Sequence, residues 1–194
     1  MSMRYRLVIT GAPASGKTEF FDRLAINDAF EAFVFLPELA RRLLEDNPGF
    51  RTDREAFHRE IYRRQIARED ELGEKSFVTD RGTVDAFAFH PETAELVGTT
   101  IEREYERYDA VIQLGSAAGL GPGYYRTDTI RLESIDEALE IEKAIQRVWR
   151  DHPGFHYLPA RINYQEKYER LLELVLHLTG QGKTIDNSGI DSSV

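Results

Sequence analysis

An eight-residue segment near the amino terminus has residue types suited to binding phosphate. Residues 11–18 read GAPASGKT and match the pattern G-x-x-x-x-G-K-[ST] at every fixed position. The two glycines permit backbone conformations in which several N–H groups converge on an anion. The Lys17 ammonium can then reach the outer phosphates, and the Thr18 hydroxyl can ligate Mg²⁺. The predicted nucleotide-binding residues are Gly11, Ala12, Pro13, Ala14, Ser15, Gly16, Lys17 and Thr18.

A second group suited to metal and phosphate chemistry is Asp80-Arg81-Gly82, which follows the strand-like run FVT. A carboxylate at the end of a strand can hold Mg²⁺ through water, so we predict Asp80 as a metal ligand together with Thr18. Arg81 is predicted to contact a phosphate or substrate, with a surface ion pair as the alternative. The chain has no Asn-Lys-x-Asp element to read guanine, which favours adenine or poor base selectivity, so we predict ATP as the nucleotide with GTP as the alternative.

Short apolar runs predict the strands that position these groups. Five runs, at 5–10, 32–36, 76–79, 110–114 and 155–158, have the length and apolar content of buried strands. Strands that alternate with helices indicate a three-layer α/β fold with a mostly parallel sheet, in which ligands bind beyond the carboxyl ends of the strands. The predicted helices cover 17–27, 38–45, 54–72, 92–107 and 135–150, with a final helix from Tyr164.

Local signals refine two helix starts and one buried face. The segments Thr52-x-x-Glu55 and Ser134-x-x-Glu137 match the capping-box pattern, so we predict that helices begin after them. Trp149 is predicted to pack in the core. The last helix has an apolar stripe at helical spacing that we also assign to the core, formed by Tyr164, Tyr168, Leu171, Leu172, Val175 and Leu178.

The composition is that of one globular domain. With 194 residues, 41% of them hydrophobic and 30% charged, we predict a single domain over 1–180 and a flexible polar tail over 181–194. The net charge of −9 disfavours nucleic acid and anionic membranes as general partners. No secretory leader or membrane span is evident, which predicts a cytoplasmic protein. Cysteine is absent, so thiolate chemistry is excluded, and the five histidines lack metal-ligand spacing.

Three segments together resemble a known family. Residues 11–18, then Pro37-Glu38-x-x-Arg41, then Asp80-Arg81-Gly82-x-x-Asp85 are similar to the small AAA-type, kinase-like P-loop proteins. That group includes the ribosylnicotinamide kinase domain of a bacterial NAD-regulating protein and is more distantly similar to deoxynucleoside and thymidylate kinases. The resemblance spans residues 4–179. It implies a P-loop NTPase fold with a five-stranded parallel sheet in the order 2-3-1-4-5.

The resemblance also implies an acceptor site beside the phosphate loop. A glutamate after the second strand accepts the substrate hydroxyl proton in deoxynucleoside kinases, so Glu38 is the candidate general base and Asp85 the reserve candidate. Arg41 is expected to orient Glu38 or bind substrate. The acceptor pocket is expected between Glu38 and the helix at 54–72, where Gln65, with Arg81 and Asp85, is predicted to bind substrate.

A glycine-containing loop is the candidate lid over this site. The lid is predicted near 116–133, and three glycines at 119, 121 and 123 make it mobile. Arg126 and Arg131 are predicted to close on the transferring phosphate and neutralise developing charge. A surface loop with solvated arginines is the alternative.

Three functions are compatible with these motifs. A kinase that transfers the terminal phosphate of ATP to a small molecule, such as a nucleoside or ribosyl compound, uses every predicted part. A regulatory ATPase or nucleotide-dependent binding module would need only the phosphate loop and metal site. An interaction protein with an inactive site is disfavoured by the intact Lys17, Thr18 and Asp80. No sensor motifs or separate helical domain are evident, which argues against a remodelling ATPase.

Overall fold

The central element of the protein is a five-stranded, fully parallel β-sheet. The computed structural model describes residues 4–125 and 133–181. The strand order β2-β3-β1-β4-β5 confirms the predicted sheet, although β2 begins two residues later than predicted. The strands are β1 (Arg6–Gly11), β2 (Val34–Leu36), β3 (Phe77–Asp80), β4 (Ala110–Leu114) and β5 (Phe155–Leu158).

Helices cover both faces of the sheet, which gives the predicted three layers. The α-helices are α1 (Lys17–Ala25), α2 (Ala40–Asp46), α3 (Arg54–Asp70), α4 (Asp85–Phe89), α5 (Thr93–Val97), α6 (Ile101–Tyr105), α7 (Ile135–Trp149) and α8 (Tyr164–Thr179). Short 3₁₀ helices cover Asp28–Phe30, Pro48–Arg51 and Ala117–Leu120. None of the helices in the described parts of the chain is long and apolar enough to cross a membrane.

Alternating side chains of the strands divide the core into two main clusters. Leu7 and Ile9 of β1 pack with α1 and α8, whereas Val8 packs with α3, α4 and α7. Successive residues of a strand point to opposite faces of its sheet, so β1 contributes to both clusters. Trp149 and Ile145 of α7 are fully buried, as predicted.

The predicted single helix at 92–107 is wrong. The structure has α5 and α6 there, separated by a turn at Gly98, whose φ of 71° is left-handed. Glycine adopts this conformation at little cost and therefore ends α5. The Thr100 hydroxyl then accepts a hydrogen bond from Arg103 N and caps a new helix. The short helix α4 was not predicted.

One of the two predicted capping boxes is confirmed and the other is wrong. At α7, Ser134 and Glu137 form the reciprocal pair of hydrogen bonds. At α3, the capping residue is Asp53, whose carboxylate accepts from Ala56 N at 2.9 Å. The Thr52 hydroxyl instead donates to Gly49 O in the preceding turn. A carboxylate one residue closer to the helix therefore replaces the predicted cap.

The final helix differs from the prediction at its first residue. Tyr168, Leu171 and Val175 are buried as expected, but Tyr164 is 41% exposed. The Tyr164 ring packs on Phe20 with centroids 4.6 Å apart, and its hydroxyl donates to Glu19 at 3.0 Å. The position belongs to a cavity wall beside the phosphate loop rather than to the core. The predicted tail lies outside the described residues except for Gln181.

Candidate nucleotide and acceptor sites

The loop between β1 and α1 has the backbone geometry of an anion nest. Ala14 has φ of 61° and Gly16 has φ of 83°, both in the left-handed region. Such residues turn successive N–H groups toward one point. Helix α1 begins at Lys17 without a side-chain cap, so no side chain occupies its N-terminal N–H groups. The predicted phosphate-binding segment is therefore shaped to receive an anion.

Contacts with the end of β4 hold this loop in place. The Ser116 hydroxyl donates to Pro13 O at 2.6 Å, and Ala117 N donates to Ala14 O at 3.1 Å. A Cβ at position 11 would lie only 2.8 Å from Leu114 O, so the close approach of the two strand ends requires glycine there. The conformation of the loop is thus determined by its neighbours as well as by its own residues.

Lys17 and Asp80 form a buried ion pair at the base of the loop. The Lys17 ammonium hydrogen-bonds to Asp80 Oδ1, and both side chains are almost inaccessible to solvent. Burial raises the pKa of Asp80, while the positive charges of Lys17 and Arg81 oppose that increase. The Thr18 side chain is exposed and lines a cavity of about 490 Å³ with the phosphate loop.

The residues around this cavity fit a magnesium–nucleotide complex. The Thr18 hydroxyl in this cavity and the Asp80 carboxylate beside Lys17 are oxygen groups of the kind that Mg²⁺ prefers, and Mg²⁺ in phosphate-binding sites keeps several waters and takes few protein ligands. Within residues 4–125 and 133–181, no group of three or more His, Asp or Glu side chains could form an all-protein metal cage. The chemistry of the available ligands therefore suits Mg²⁺ bound together with phosphates.

Glu38 and Arg81 form the boundary between the phosphate loop and a second cavity. Arg81 Nε lies 3.1 Å from Glu38 Oε1, and its Nη2 donates to Gly11 O at 3.2 Å. Lys17 Nζ lies 4.0 Å from the other Glu38 oxygen. Burial favours the neutral acid, but the charges of Lys17, Arg81 and Arg41 together lower the pKa of Glu38. Glu38 is therefore ionised at neutral pH.

Asp85 and Gln65 are already engaged by the protein. Asp85 accepts hydrogen bonds from the Thr10 hydroxyl, Gly82 N and Trp149 Nε1, and its Oδ1 lies 3.3 Å from Arg81 Nη1. These contacts suit a structural carboxylate better than a proton acceptor, which leaves Glu38 as the more accessible of the two candidate bases.

Gln65 is 3% exposed, and its hydrogen-bonding groups are used within the protein. Its amide nitrogen donates to Glu69, to Thr79 Oγ1 at 2.9 Å and to Arg81 O at 3.2 Å. Its amide oxygen accepts from Arg68. Gln65 lines the second cavity, as predicted, but these bonds include the backbone carbonyl of Arg81 and leave little capacity for substrate.

The second cavity is small and combines apolar walls with several charged side chains. It encloses about 230 Å³ and lies between α2, α3 and α4. His58 in its wall stacks on His90 and has an Nδ1 atom with no hydrogen-bond partner. The charged residues Glu38, Asp80, Arg81 and Asp85 contribute to its lining. Apolar residues form much of the rest, namely Leu39, Ala40, Leu44, Phe57, Ile61, Ala86 and Phe89.

Within the described residues, the structure places the predicted site residues at the phosphate loop and around the two cavities. Arg41 lines the phosphate-loop cavity with Glu38 and Arg81. Arg126 and Arg131, the predicted lid arginines, lie outside the described residues. Within the predicted lid, the structure places 117–120 in a short 3₁₀ helix whose first turn is capped by Ser116.

Two residues beside the phosphate loop were missed by sequence reasoning. Lys167 and Tyr164 of α8 line a cavity against residues 14–16. Each has an ordinary place in an amphipathic helix, and no local pattern distinguishes them. Only the packing of α8 against α1 indicates their proximity to the loop.

The fold and the site together define a P-loop kinase-like protein. A parallel sheet in the order 2-3-1-4-5, with an anion nest after its first strand, has this architecture. The sequence profile of the AAA domain family matches residues 6–167, and the chain belongs to that family. None of the curated protein sequences compared with the chain matches it.

A solved structure with the same fold is the deoxyadenosine kinase from M. mycoides with bound dATP. Its superposition has a TM-score of 0.56 and covers 88% of this chain and 98% of the kinase, at 11% sequence identity. This similarity supports the kinase-like P-loop fold. The predicted similarity to ribosylnicotinamide kinase is not confirmed by these comparisons and stays a prediction.

Proposed function

We propose that the protein transfers the terminal phosphate of ATP, bound with Mg²⁺, to a hydroxyl group of a small molecule such as a nucleoside or ribosyl compound. The observation that carries this proposal is the meeting of two cavities. Glu38 and Arg81 line both the cavity at the phosphate loop and the smaller cavity between α2, α3 and α4. A phosphate donor in the first and a hydroxyl acceptor in the second would therefore react beside Glu38.

Each donor-side residue has a role in this proposal. The N–H groups of the loop bind the phosphates, and Lys17 leaves Asp80 to contact their outer oxygens. Thr18 and Asp80 would hold Mg²⁺, which neutralises charge on the phosphates. Arg81 is anchored to Gly11 O and Glu38, so its guanidinium stays between donor and acceptor. Positioning and electrostatics of this kind do most of the work in phosphoryl transfer.

Glu38 acts as the proton acceptor in the reaction. The acceptor oxygen forms a bond to the terminal phosphorus of ATP, the bond from that phosphorus to the bridging oxygen breaks, and ADP leaves. The hydroxyl proton passes to the ionised Glu38 carboxylate. The cavity of about 230 Å³ holds the remainder of the acceptor against apolar walls. The kinase of similar fold makes deoxynucleosides the first acceptors to test.

The test is phosphate transfer from labelled ATP to a panel of nucleosides and ribosyl compounds. We expect Glu38→Gln to retain ATP-dependent thermal stabilisation and to lose transfer by about 100-fold or more, since general base catalysis contributes at least that much. Glu45→Gln is the matched control, because Glu45 is an exposed carboxylate on the neighbouring helix α2. Its transfer rate should equal that of the wild type.

The contradicting outcomes are distinct. Transfer by Glu38→Gln at the wild-type rate would remove Glu38 from the role of base. Release of free phosphate from ATP, with no acceptor labelled, would replace the kinase proposal by a regulatory ATPase. Absence of any nucleotide-dependent stabilisation would overturn nucleotide binding itself.

A further inference from the structure

A buried lysine of α8 contacts the backbone of the phosphate loop on the side that faces α8. Lys167 is 3% exposed, and its Nζ donates to Ser15 O and to Gly115 O, each at 2.7 Å. One of these carbonyls belongs to the phosphate loop and the other to the turn after β4. A single ammonium thus connects the loop, the sheet and the last helix.

The contact with Ser15 O has a direct consequence for the anion nest. In a trans peptide, the carbonyl of one residue and the N–H of the next point in opposite directions. No peptide bond in the described chain is cis. When Lys167 holds the Ser15 carbonyl toward α8, the N–H of Gly16 is turned away from α8. Lys167 therefore helps to orient a donor of the nest.

Among the residues that the structure describes, no carboxylate forms an ion pair with Lys167. Its two hydrogen bonds there are to neutral carbonyls, and an unpaired buried ammonium is strongly unfavourable. Glu142 on α7 is the carboxylate whose charge acts on it, but its oxygens accept from Ser116 N and the Tyr157 hydroxyl, each at 2.6 Å. Burial consequently lowers the pKa of Lys167 to about 8, with Glu142 opposing the decrease.

The surroundings of Lys167 continue the nucleotide site. Lys167 lines a cavity of about 230 Å³ with residues 14–16, Ala117, Arg161 and Tyr164. That cavity shares residues 14–16 and Tyr164 with the larger phosphate-loop cavity. An anion bound at the loop would provide the compensating charge that the protein itself does not place beside Lys167.

We propose that Lys167 is a further cationic element of the nucleotide site, which orients the phosphate loop and attracts the polyphosphate of the nucleotide. This inference rests on the proposed nucleotide binding and goes beyond it, since Lys167 lies outside the loop motif. Lys167 is a positioning residue: it acts through the loop backbone and through its charge.

The test measures ATP affinity by calorimetry at pH 7–9 in buffers of different ionisation enthalpy. We expect Lys167→Met to weaken ATP binding by about tenfold or more, because it removes the charge and both carbonyl contacts. Lys167→Arg, which keeps the charge, should restore most of the affinity. Lys143→Met is the matched control, since Lys143 is an exposed lysine that pairs with Glu140, and the affinity of this variant for ATP should be unchanged.

Proton uptake separates this role from a merely structural one. A bound polyphosphate favours the charged form of Lys167, so wild-type protein should take up as much as about half a proton on binding ATP near pH 8. Arg161, Tyr164 and Glu142 also face the site, but they remain in each variant and cancel in the comparison. The uptake should be absent in Lys167→Met and Lys167→Arg.

The outcomes distinguish this inference from the proposed function. If wild-type protein binds no nucleotide, the proposed function fails. If it binds ATP and Lys167→Met binds with the same affinity and the same proton uptake, the role of Lys167 is overturned while nucleotide binding stands. If circular dichroism shows that Lys167→Met does not fold, Lys167→Arg is the deciding variant. ATP affinity near that of the wild type, without proton uptake, supports the inference. Proton uptake equal to that of the wild type contradicts it.

Discussion

Lys17 and Asp80 form a buried ion pair, and both side chains also belong to the proposed nucleotide site. Both are buried and each neutralises the other in the absence of ligand. A phosphate and a metal ion would replace these contacts one by one, so Lys17 and Asp80 are each matched to a ligand of opposite charge. The pair therefore compensates both buried charges while no nucleotide is bound.

Loss of one partner should leave an uncompensated buried charge. We expect Lys17→Met to lower the free energy of unfolding by about 3 kcal/mol, as for other broken buried pairs. The double variant Lys17→Met/Asp80→Asn should recover most of this loss, because neither charge then remains. Urea unfolding without nucleotide or Mg²⁺ measures all members of the cycle. A loss in the double variant equal to the sum of the losses in Lys17→Met and Asp80→Asn would mean that the two residues are not energetically coupled.

At the scale of elements, the turn from β1 into α1 depends on one glycine in a left-handed conformation. Gly16 has φ of 83°, and a Cβ there would lie 2.9 Å from the Tyr164 hydroxyl. A side chain at this position is strained by the backbone and crowded by α8. The phosphate loop is therefore sensitive to its contact with the last helix.

Gly16→Ala should lower the free energy of unfolding by roughly 1–2 kcal/mol and weaken ATP binding by about tenfold. The physical reason is that the loop must leave the left-handed conformation that directs its N–H groups. Chemical unfolding and calorimetry provide the two measurements. Gly119→Ala is the control, since an added Cβ there meets nothing within 4 Å, and it should change stability by less than about 0.5 kcal/mol. Equal effects of both substitutions would refute the argument.

The contact of α3 with α4 contains a histidine, His58, whose pKa is lowered. His58 is buried, and burial with the nearby His90 and Arg54 lowers its pKa to about 4. Because the unfolded chain holds this proton more tightly, with a pKa near 6.5, His58 favours the folded state above that value. Its contribution is lost as the pH falls from about 6.5 toward 4.

His58→Phe should therefore reduce the acid sensitivity of the fold. We expect the wild type to lose on the order of 2 kcal/mol more than the variant between pH 6.5 and pH 4. Burial also lowers the pKa of His152, so some pH dependence remains in both proteins. Urea unfolding across this range measures the difference, with the exposed His177→Gln as control. Parallel curves for wild type and His58→Phe would show that His58 does not cause the acid sensitivity.

At the scale of the whole molecule, the strand order explains why distant segments form one site. Glu38 follows β2, Asp80 ends β3, and the phosphate loop follows β1. These three strands are neighbours, so their carboxyl ends lie at one edge of the sheet. The proposed base, metal ligand and phosphate cradle are thereby placed together although they come from positions far apart in the chain.

The Asp85 carboxylate connects the carboxyl ends of β1 and β3 with helix α7. Its carboxylate accepts from Thr10 at the end of β1, from Gly82 N after β3 and from Trp149 in α7. Asp85→Asn places an amide among these donors, so we expect the free energy of unfolding to fall by about 2–4 kcal/mol. Thermal and urea unfolding test this. A variant that keeps wild-type stability but loses phosphate transfer would instead support Asp85 as the base.

Sequence reasoning reached the strands and the phosphate loop because each has a local signal, whereas the strand order came from the resemblance to the kinase-like family. The buried strands are short apolar runs, and residues 11–18 combine glycine conformations with specific side chains in consecutive positions. The predicted helix at 92–107 was wrong because a left-handed Gly98 ends one helix and a threonine cap begins another. Such a turn involves only a few residues, so the helical pattern on either side of it hides the break in the sequence.

The amino-acid sequence by itself determined the phosphate loop, the alternation of strands and helices, and the acidic residues at the carboxyl ends of β2 and β3. Only the tertiary structure decided that Gln65 and Asp85 are occupied by protein contacts, and that Lys167 lies behind the phosphate loop. The reason is physical. Local conformation depends on neighbouring residues, whereas the partners and charge state of a buried side chain depend on segments far away in sequence that pack around it.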